Sequence, residues 1–200
     1  PGLARDRAGG RMLLMTVGLN PIMGNDIIFG MNDSFVLAWM VLSLWLLHRG
    51  RTGPAALALG LALASKPTAW FLAPFYALHL ARGSAGIREA AKRIVTRGWP
   101  ALVVFVALVL PFVAWDPPAF YDDVWAWSAG TSATPYQIRG WGLSNLVLAL
   151  GLVETDQSYF PFWIAQVALC LPVLYLLLRR QWRRPSLARV WYGTAILFGL

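Results

Sequence analysis

The feature that most constrains this chain is the alternation of long apolar runs with short loops in which arginine collects. The runs are Met12–Met23, Ser34–His48, Pro54–Ala64, Thr68–Ala81, Trp99–Trp115, Leu143–Val153, Tyr159–Leu178 and Val190–Leu200. Several approach the roughly 20 apolar residues that a helix needs to cross a bilayer. With 58% hydrophobic and 13% charged residues in 200, a water-soluble domain could not hide this much apolar surface. In lipid a segment must satisfy its own backbone, so the runs are expected to be helical. The expected fold is all-α, a polytopic transmembrane helical bundle.

Charge sets the expected topology. Arg5, Arg7 and Arg11 precede the first run, and Arg49 and Arg51 follow the second. Arg82, Arg88, Lys92, Arg93 and Arg97 fill the segment before Trp99, and Arg179, Arg180, Arg183, Arg184 and Arg189 follow Leu178. By the positive-inside rule these four clusters are cytoplasmic. The two basic residues outside them are Lys66 and Arg139. Asp26, Asp33, Asp116, Asp122, Asp123, Glu154 and Asp156 then fall on the outer side. The net charge of +8 is therefore topogenic and available to membrane lipids, and it gives no reason to expect nucleic acid.

Parity adds a constraint. The loops at Arg49–Gly53 and Arg82–Arg97 are both inside, so Pro54–Ala81 must go out and return. Its 28 residues suffice for two half-length helices at about 1.5 Å per residue. Ser65-Lys66-Pro67 marks the break, because proline ends a helix and biases the residue before it away from helical angles. Lys66 is thus expected at the outer end of a short hairpin. Leu143–Val153 is too short to cross and has both flanks outside, so it reads as a re-entrant, interfacial or outer-side helix. Residues 116–142 form an outer-side loop, in which Pro118–Ser128 reads as a short amphipathic helix. Residues 1–200 read as part of one transmembrane domain truncated at both ends, since the chain opens on Pro1 and ends inside an apolar run.

The polar residues on the outer side are the candidates for chemistry. Asn32-Asp33-Ser34 stands at the mouth of an apolar helix. Such residues cap helix N-termini, where a carboxylate suits the positive end of the dipole. They can equally bind a substrate or assist proton transfer, and Asp26 is either a solvated loop acid or a partner in that role. A lone lysine between apolar half-helices is costly unless it snorkels or pairs. Lys66 therefore either reaches the outer headgroups or presents a point charge to a phosphate. Arg139 can grip phosphate oxygens bidentately or pair with a headgroup. Trp115, Tyr121, Trp125, Trp127, Tyr136 and Trp141 form an interfacial belt or include rings that stack on a sugar. Ala56, Gly60 and Ala64, at four-residue spacing, read as a helix-packing stripe. His48 and His79 read as interfacial, and Cys170 as a small core residue without a disulfide partner. No phosphate-cradling glycine loop, zinc spacing or Ser/His/Asp set appears. No cofactor and no metal ligand is assigned, and dependence on a divalent metal stays open.

Asn20-Pro21, "GMND" at Gly30–Asp33, "RGR" at Arg49–Arg51, "GLALASKP" at Gly60–Pro67 followed by Pro74, and "PFVAWDPPAFYDDV" at Pro111–Val124 come in a recognisable order. Together they resemble the polyprenyl-phosphate-dependent glycosyltransferases of the GT-C superfamily, of the family 87 or bacterial mannosyltransferase type, over roughly Met12–Asn145. The resemblance implies a multi-pass enzyme of the bacterial plasma membrane with its active face periplasmic or extracellular. It would move a hexose, mannose by the type resembled, from a polyprenyl-phosphate sugar donor to a glycan, lipid or protein acceptor. It also implies that the main catalytic base lies in an outer loop upstream of Pro1, which leaves Asp33 an auxiliary catalytic role. Asn32, Lys66 and Asp116 match motif positions that shape the sugar and phosphate site, and the residue reading adds Asp26 and Arg139. The alternative is a non-enzymatic transporter or flippase for a lipid-linked or anionic solute, which broken helices and an isolated lysine also fit.

Overall fold

The computed structural model describes Met15, residues 33–138 and residues 143–199. Among these residues every regular element is helical, as the bilayer argument requires. They are α1 (Asp33–His48), α2 (Thr52–Ser65), a 3₁₀ segment (Pro67–Leu72), α3 (Ala73–Leu80), α4 (Ile87–Trp115) and α5 (Pro117–Tyr121). A π-helical turn (Asp122–Ala126), α6 (Trp127–Ala129), α7 (Leu143–Ala149), α8 (Phe162–Arg183) and α9 (Leu187–Phe198) follow. The helices α4 and α8 are long and apolar enough to cross a membrane, and α1, α2 and α9 are shorter apolar helices. The most apolar stretch of α4 is only 11% buried and that of α8 is not buried at all by the described residues. A core helix of a water-soluble protein would be covered along that stretch.

The chain divides into two compact units, Pro1–Phe105 and Val106–Leu200. In the first, α1 and α2 form an antiparallel hairpin. Its turn is set by Gly50, whose φ of +74° is a left-handed conformation that glycine adopts without a Cβ clash. The Arg51 N–H reaches the Leu46 carbonyl at 2.9 Å and the Gly50 N–H reaches Leu47 at 3.0 Å, the paired bonds of a Schellman cap. Val36, Met40, Ser43, Leu46 and Leu47 form the buried stripe of α1. Against it α2 buries Ala55, Ala56, Ala58, Leu59, Gly60 and Ala62. The small side chains let the two backbones approach, and the Ser43 hydroxyl donates to the Ala55 carbonyl at 2.8 Å across the contact. Such interhelical bonds in membrane proteins contribute roughly 0.6 kcal/mol on average.

The break expected at Ser65-Lys66-Pro67 is present. Lys66 is extended, with φ −160° and ψ 138°, and it ends α2. The return arm differs from a plain half-helix, because it opens as the 3₁₀ segment before tightening into α3. The Trp70 indole N–H donates back to the Leu63 carbonyl at 3.0 Å, satisfying one of the acceptors that the end of α2 leaves open.

The helix α4 begins at Ile87, well ahead of the apolar run that starts at Trp99. Local polar contacts explain the extension. Glu89 accepts from the Ala85 N–H at 2.8 Å and pairs with Arg93 one turn on at 2.6 Å. Arg93 also donates to the Arg82 carbonyl at 2.6 Å, and Arg97 to the Leu80 carbonyl at 3.1 Å. The basic cluster thus ties the start of α4 to the end of α3. His79, expected at an interface, is buried there, with its Nε2 2.8 Å from the Arg82 guanidinium, whereas His48 is exposed.

In the second unit α5, the π-helical turn and α6 run without interruption from Pro117 to Ala129, so the helix expected at Pro118–Ser128 is present. The expected helix at Leu143–Val153 is the seven-residue α7, Leu143–Ala149. The apolar run at Tyr159–Leu178 becomes α8, shifted so that Arg179, Arg180 and Arg183 lie within the helix. At the turn into α9, the Gln181 side chain is fully buried and bonds both the N–H and the carbonyl of Ser186.

Gly60 is the closest approach in the first unit. A Cβ there would lie 2.6 Å from the Ala101 carbonyl oxygen and 2.7 Å from Val104 Cβ, both on α4. Gly53 has nothing within 4 Å. Gly60→Ala is expected to cost about 1–3 kcal/mol of stability through overpacking, and Gly53→Ala is expected to be neutral or slightly stabilising. Thermal unfolding of the purified full-length protein in detergent separates the two, and equal melting temperatures would refute the packing assignment.

Candidate functional site

The hairpin explains how two distant polar residues meet. Asp33 opens α1 and Lys66 ends α2, and the helices have 16 and 14 residues. Folding at Gly50 places both residues at the end of the hairpin opposite Arg49 and Arg51. There the Lys66 ammonium donates to Asp33 Oδ1 in a direct ion pair. Sequence reading singles out both residues, but their contact depends on matched helix lengths, which no local motif states. The side chains are 33% and 53% exposed, so the pair is open to a ligand.

Two structural facts make this end unusual. The backbone after Lys66 is extended and then 3₁₀, so the chain here leaves regular helix between two apolar arms. At membrane depth such backbone is tolerated where it lines a cavity or is buried in protein. In addition, an ammonium has three donors. One is directed at Asp33, and no further partner is present among the described residues, so two remain for oxygen ligands.

Asp116 belongs to the second unit. It is the N-cap of α5, and its Oδ1 accepts from the Ala119 N–H at 3.0 Å. The carboxylate, singled out from sequence as a substrate-site position, therefore also has a structural task as the cap at the exit from α4. The candidates Asp26, Asn32 and Arg139 lie outside the described residues. No group of three His, Cys, Asp or Glu side chains gathers into a metal-binding arrangement among the described residues.

A second feature of the same unit was not legible as a site. A cleft of about 410 Å³ is lined by Trp127, Thr134, Pro135, Tyr136, Gln137 and Gln157. The aromatic pair was among the rings singled out from sequence, and the Trp127 and Tyr136 rings meet edge to face with centroids 4.8 Å apart. The two glutamines were missed. A neutral amide in a loop carries no pattern, and Gln157 comes beside the cleft where the Ile138 N–H bonds the Asp156 carbonyl at 2.6 Å.

What the first site can do follows from its parts. A cation held by a carboxylate, at the break between two apolar helical arms, suits an anionic head carried on an apolar tail. Neither a curated protein nor a solved structure matches the chain significantly. The family model for glycosyltransferase family 87 matches residues 3–200. This covers nearly the whole chain, including α1, the Lys66 break and the Asp116 corner. The helical fold, the membrane-grade helices and that match agree: the chain belongs to glycosyltransferase family 87 and is a membrane glycosyltransferase.

Proposed function

We propose that the enzyme takes a hexose, mannose first among the candidates, from a polyprenyl phosphate and attaches it to a glycan, lipid or protein acceptor. The reaction takes place at the periplasmic or extracellular face of a bacterial plasma membrane. Residues 1–200 are part of one multi-pass transmembrane domain, and residues 116–142 are its outer-side loop. The observation that carries this reading is the Lys66–Asp33 pair at the broken end of the α1–α2 hairpin.

The hairpin geometry supports a site below the outer surface. Helices of 16 and 14 residues reach only about 24 and 21 Å at ~1.5 Å per residue, against a hydrocarbon core of about 30 Å. With Arg49 and Arg51 at the inner surface, the pair stands short of the outer one. A polyprenyl phosphate presents its phosphate near that depth because its tail lies in lipid. Lys66 supplies donors to the phosphate oxygens, and Asp33 holds the ammonium in place. An ion pair is also less costly there than a lone lysine.

In the transfer step an acceptor hydroxyl attacks the anomeric carbon, the bond to the phosphate oxygen breaks and polyprenyl phosphate leaves. Negative charge grows on the leaving phosphate, and a fixed ammonium stabilises it most at that moment. The hydroxyl proton passes to a carboxylate base, a step in which Asp33 is auxiliary. Asn32 and Asp26 contribute to the sugar pocket, and Arg139 provides a second outer-side cation for phosphate. Asp116, in the second unit, is assigned to substrate binding, with Oδ2 the oxygen its cap does not use. Family membership favours this reading over a transporter, and a transferase needs polar groups at one face only.

Transfer from labelled polyprenyl-phosphate mannose, in membranes holding the full-length protein, is expected to fall about tenfold or more in Lys66→Ala, a loss of at least ~1.4 kcal/mol of transition-state stabilisation. Asp33→Asn should lose less, because the asparagine oxygen still accepts from Lys66, and its effect should appear chiefly in the donor KM. Full activity in both variants at equal protein level would reduce Asp33 to a cap and Lys66 to a snorkelling anchor. The orientation has its own test. In a Cys170→Ala background, Arg51→Cys should react with an impermeant maleimide only after the cytoplasmic side is opened, and Asp123→Cys should react from outside. The reverse pattern would place the site on the wrong face.

A further inference from the structure

The cleft of the second unit carries chemistry that the donor site does not use. Its volume of about 410 Å³ falls within the roughly 300–1,000 Å³ of small-molecule sites. Among the described residues no charged side chain lines it, and this part of the lining offers neither a phosphate nor a carboxylate a counter-charge. A lipid tail is also a poor match, because two primary amides and a hydroxyl would be stripped of water without replacement.

The lining instead pairs two kinds of surface. Trp127 and Tyr136 stand at 76° to one another, each partly exposed. A ring face of this kind gains by covering the apolar C–H face of a pyranose. Gln137, Gln157 and Thr134 supply donors and acceptors together, and their side chains have no hydrogen-bond partner among the described residues. An amide can accept from one hydroxyl and donate to its neighbour, which matches the vicinal hydroxyls of a sugar. Neutral, polyhydroxylated and apolar on one face is the description of a sugar ring.

The framework is already in place. The Tyr136 N–H donates to the Trp127 carbonyl at 3.0 Å, and the Thr131 N–H to Ala126 at 2.9 Å. Ser132 donates its hydroxyl to Asp122 at 2.9 Å. The Gln157 turn is closed by its N–H on Thr155 Oγ1 at 3.3 Å and by the 3.0 Å contact between the Thr155 and Ser158 hydroxyls. A preformed lining reduces the ordering cost of binding. We propose that this cleft is a subsite for a neutral sugar unit of the acceptor, so that the acceptor is a glycan or a glycolipid. The acceptor role rests on the transferase reading above, whereas the binding of sugar by the cleft does not.

The test uses the full-length protein in nanodiscs, with mannobiose, maltose and cellobiose as probes, and reads binding by saturation-transfer NMR. At least one disaccharide is expected to bind the wild type. Trp127→Ala and Gln157→Ala are each expected to weaken it about fivefold or more, the loss of one good contact. Gln157 is exposed, so its replacement keeps the test valid if Trp127→Ala folds poorly. Lys66→Ala should bind the disaccharide as the wild type does. Absence of binding by all three probes, or unchanged binding in both cleft variants, overturns the proposal. Mannose transfer measured on the same samples separates the two readings. Transfer with binding that ignores the cleft variants sinks the subsite alone. Cleft-dependent binding without transfer from any polyprenyl-phosphate sugar sinks the donor reading, while the sugar subsite stands.

Discussion

The ion pair between Asp33 and Lys66 depends on the register of the α1–α2 hairpin, the constraint on which the first unit rests. It exists because three separate features agree. Gly50 closes the hairpin with a left-handed residue, the helices on either side are of nearly equal length, and Pro67 stops α2 one residue after Lys66. A one-turn change in either helix would move a charge by about 5 Å along the axis and leave it alone against apolar neighbours. The packing beneath serves the same end. Alanines and Gly60 on α2 bring its backbone against α1 and α4, which fixes where Lys66 emerges.

Much of this was legible in the sequence, for physical reasons. A bilayer reduces the options for backbone to helices, so apolar runs translate into elements with little ambiguity. Arginine clusters suggest a parity under which the Pro54–Ala81 segment should break near Lys66, and it does break there. What remained closed was anything set by tertiary register or by neutral polar groups. The contact of Asp33 with Lys66 spans 33 positions and follows from helix lengths to within a residue or two. The early start of α4 depends on Glu89 and Arg93, whose pairing makes a charged loop sequence helical. Composition had read that segment only as a topogenic cluster.

The second unit illustrates the opposite limit. Asp116 drew attention as an acid in a recognisable corner, and its carboxylate proves to be an N-cap at the foot of α5. Its neighbours Trp127 and Tyr136 could have been a belt at the membrane surface. Their edge-to-face contact and the glutamines beside them favour the sugar subsite proposed above, since a belt residue needs only a headgroup, whereas these rings share walls with side-chain amides. Gln137 and Gln157 are twenty positions apart in a chain with no sequence period. A backbone bond between the loops, from Ile138 to Asp156, helps make them neighbours.

Stability and function are in tension at Lys66. An apolar residue there would spare α2 and the 3₁₀ arm the desolvation of a charge, and buried ion pairs are often matched or bettered by hydrophobic replacements. The pair is instead left open to ligand, with two ammonium donors directed at no described partner. A charge that is paired once and exposed is a poor stabilising device. It fits the phosphate role proposed above, because its position is fixed before substrate arrives and no side chain must reorganise as charge develops on a leaving oxygen. In that proposal the carboxylate would moderate the effect, keeping the ammonium in place while cancelling part of its charge so that a product phosphate can depart. On the same proposal, a site with no cation would leave the developing phosphate charge to lipid and water.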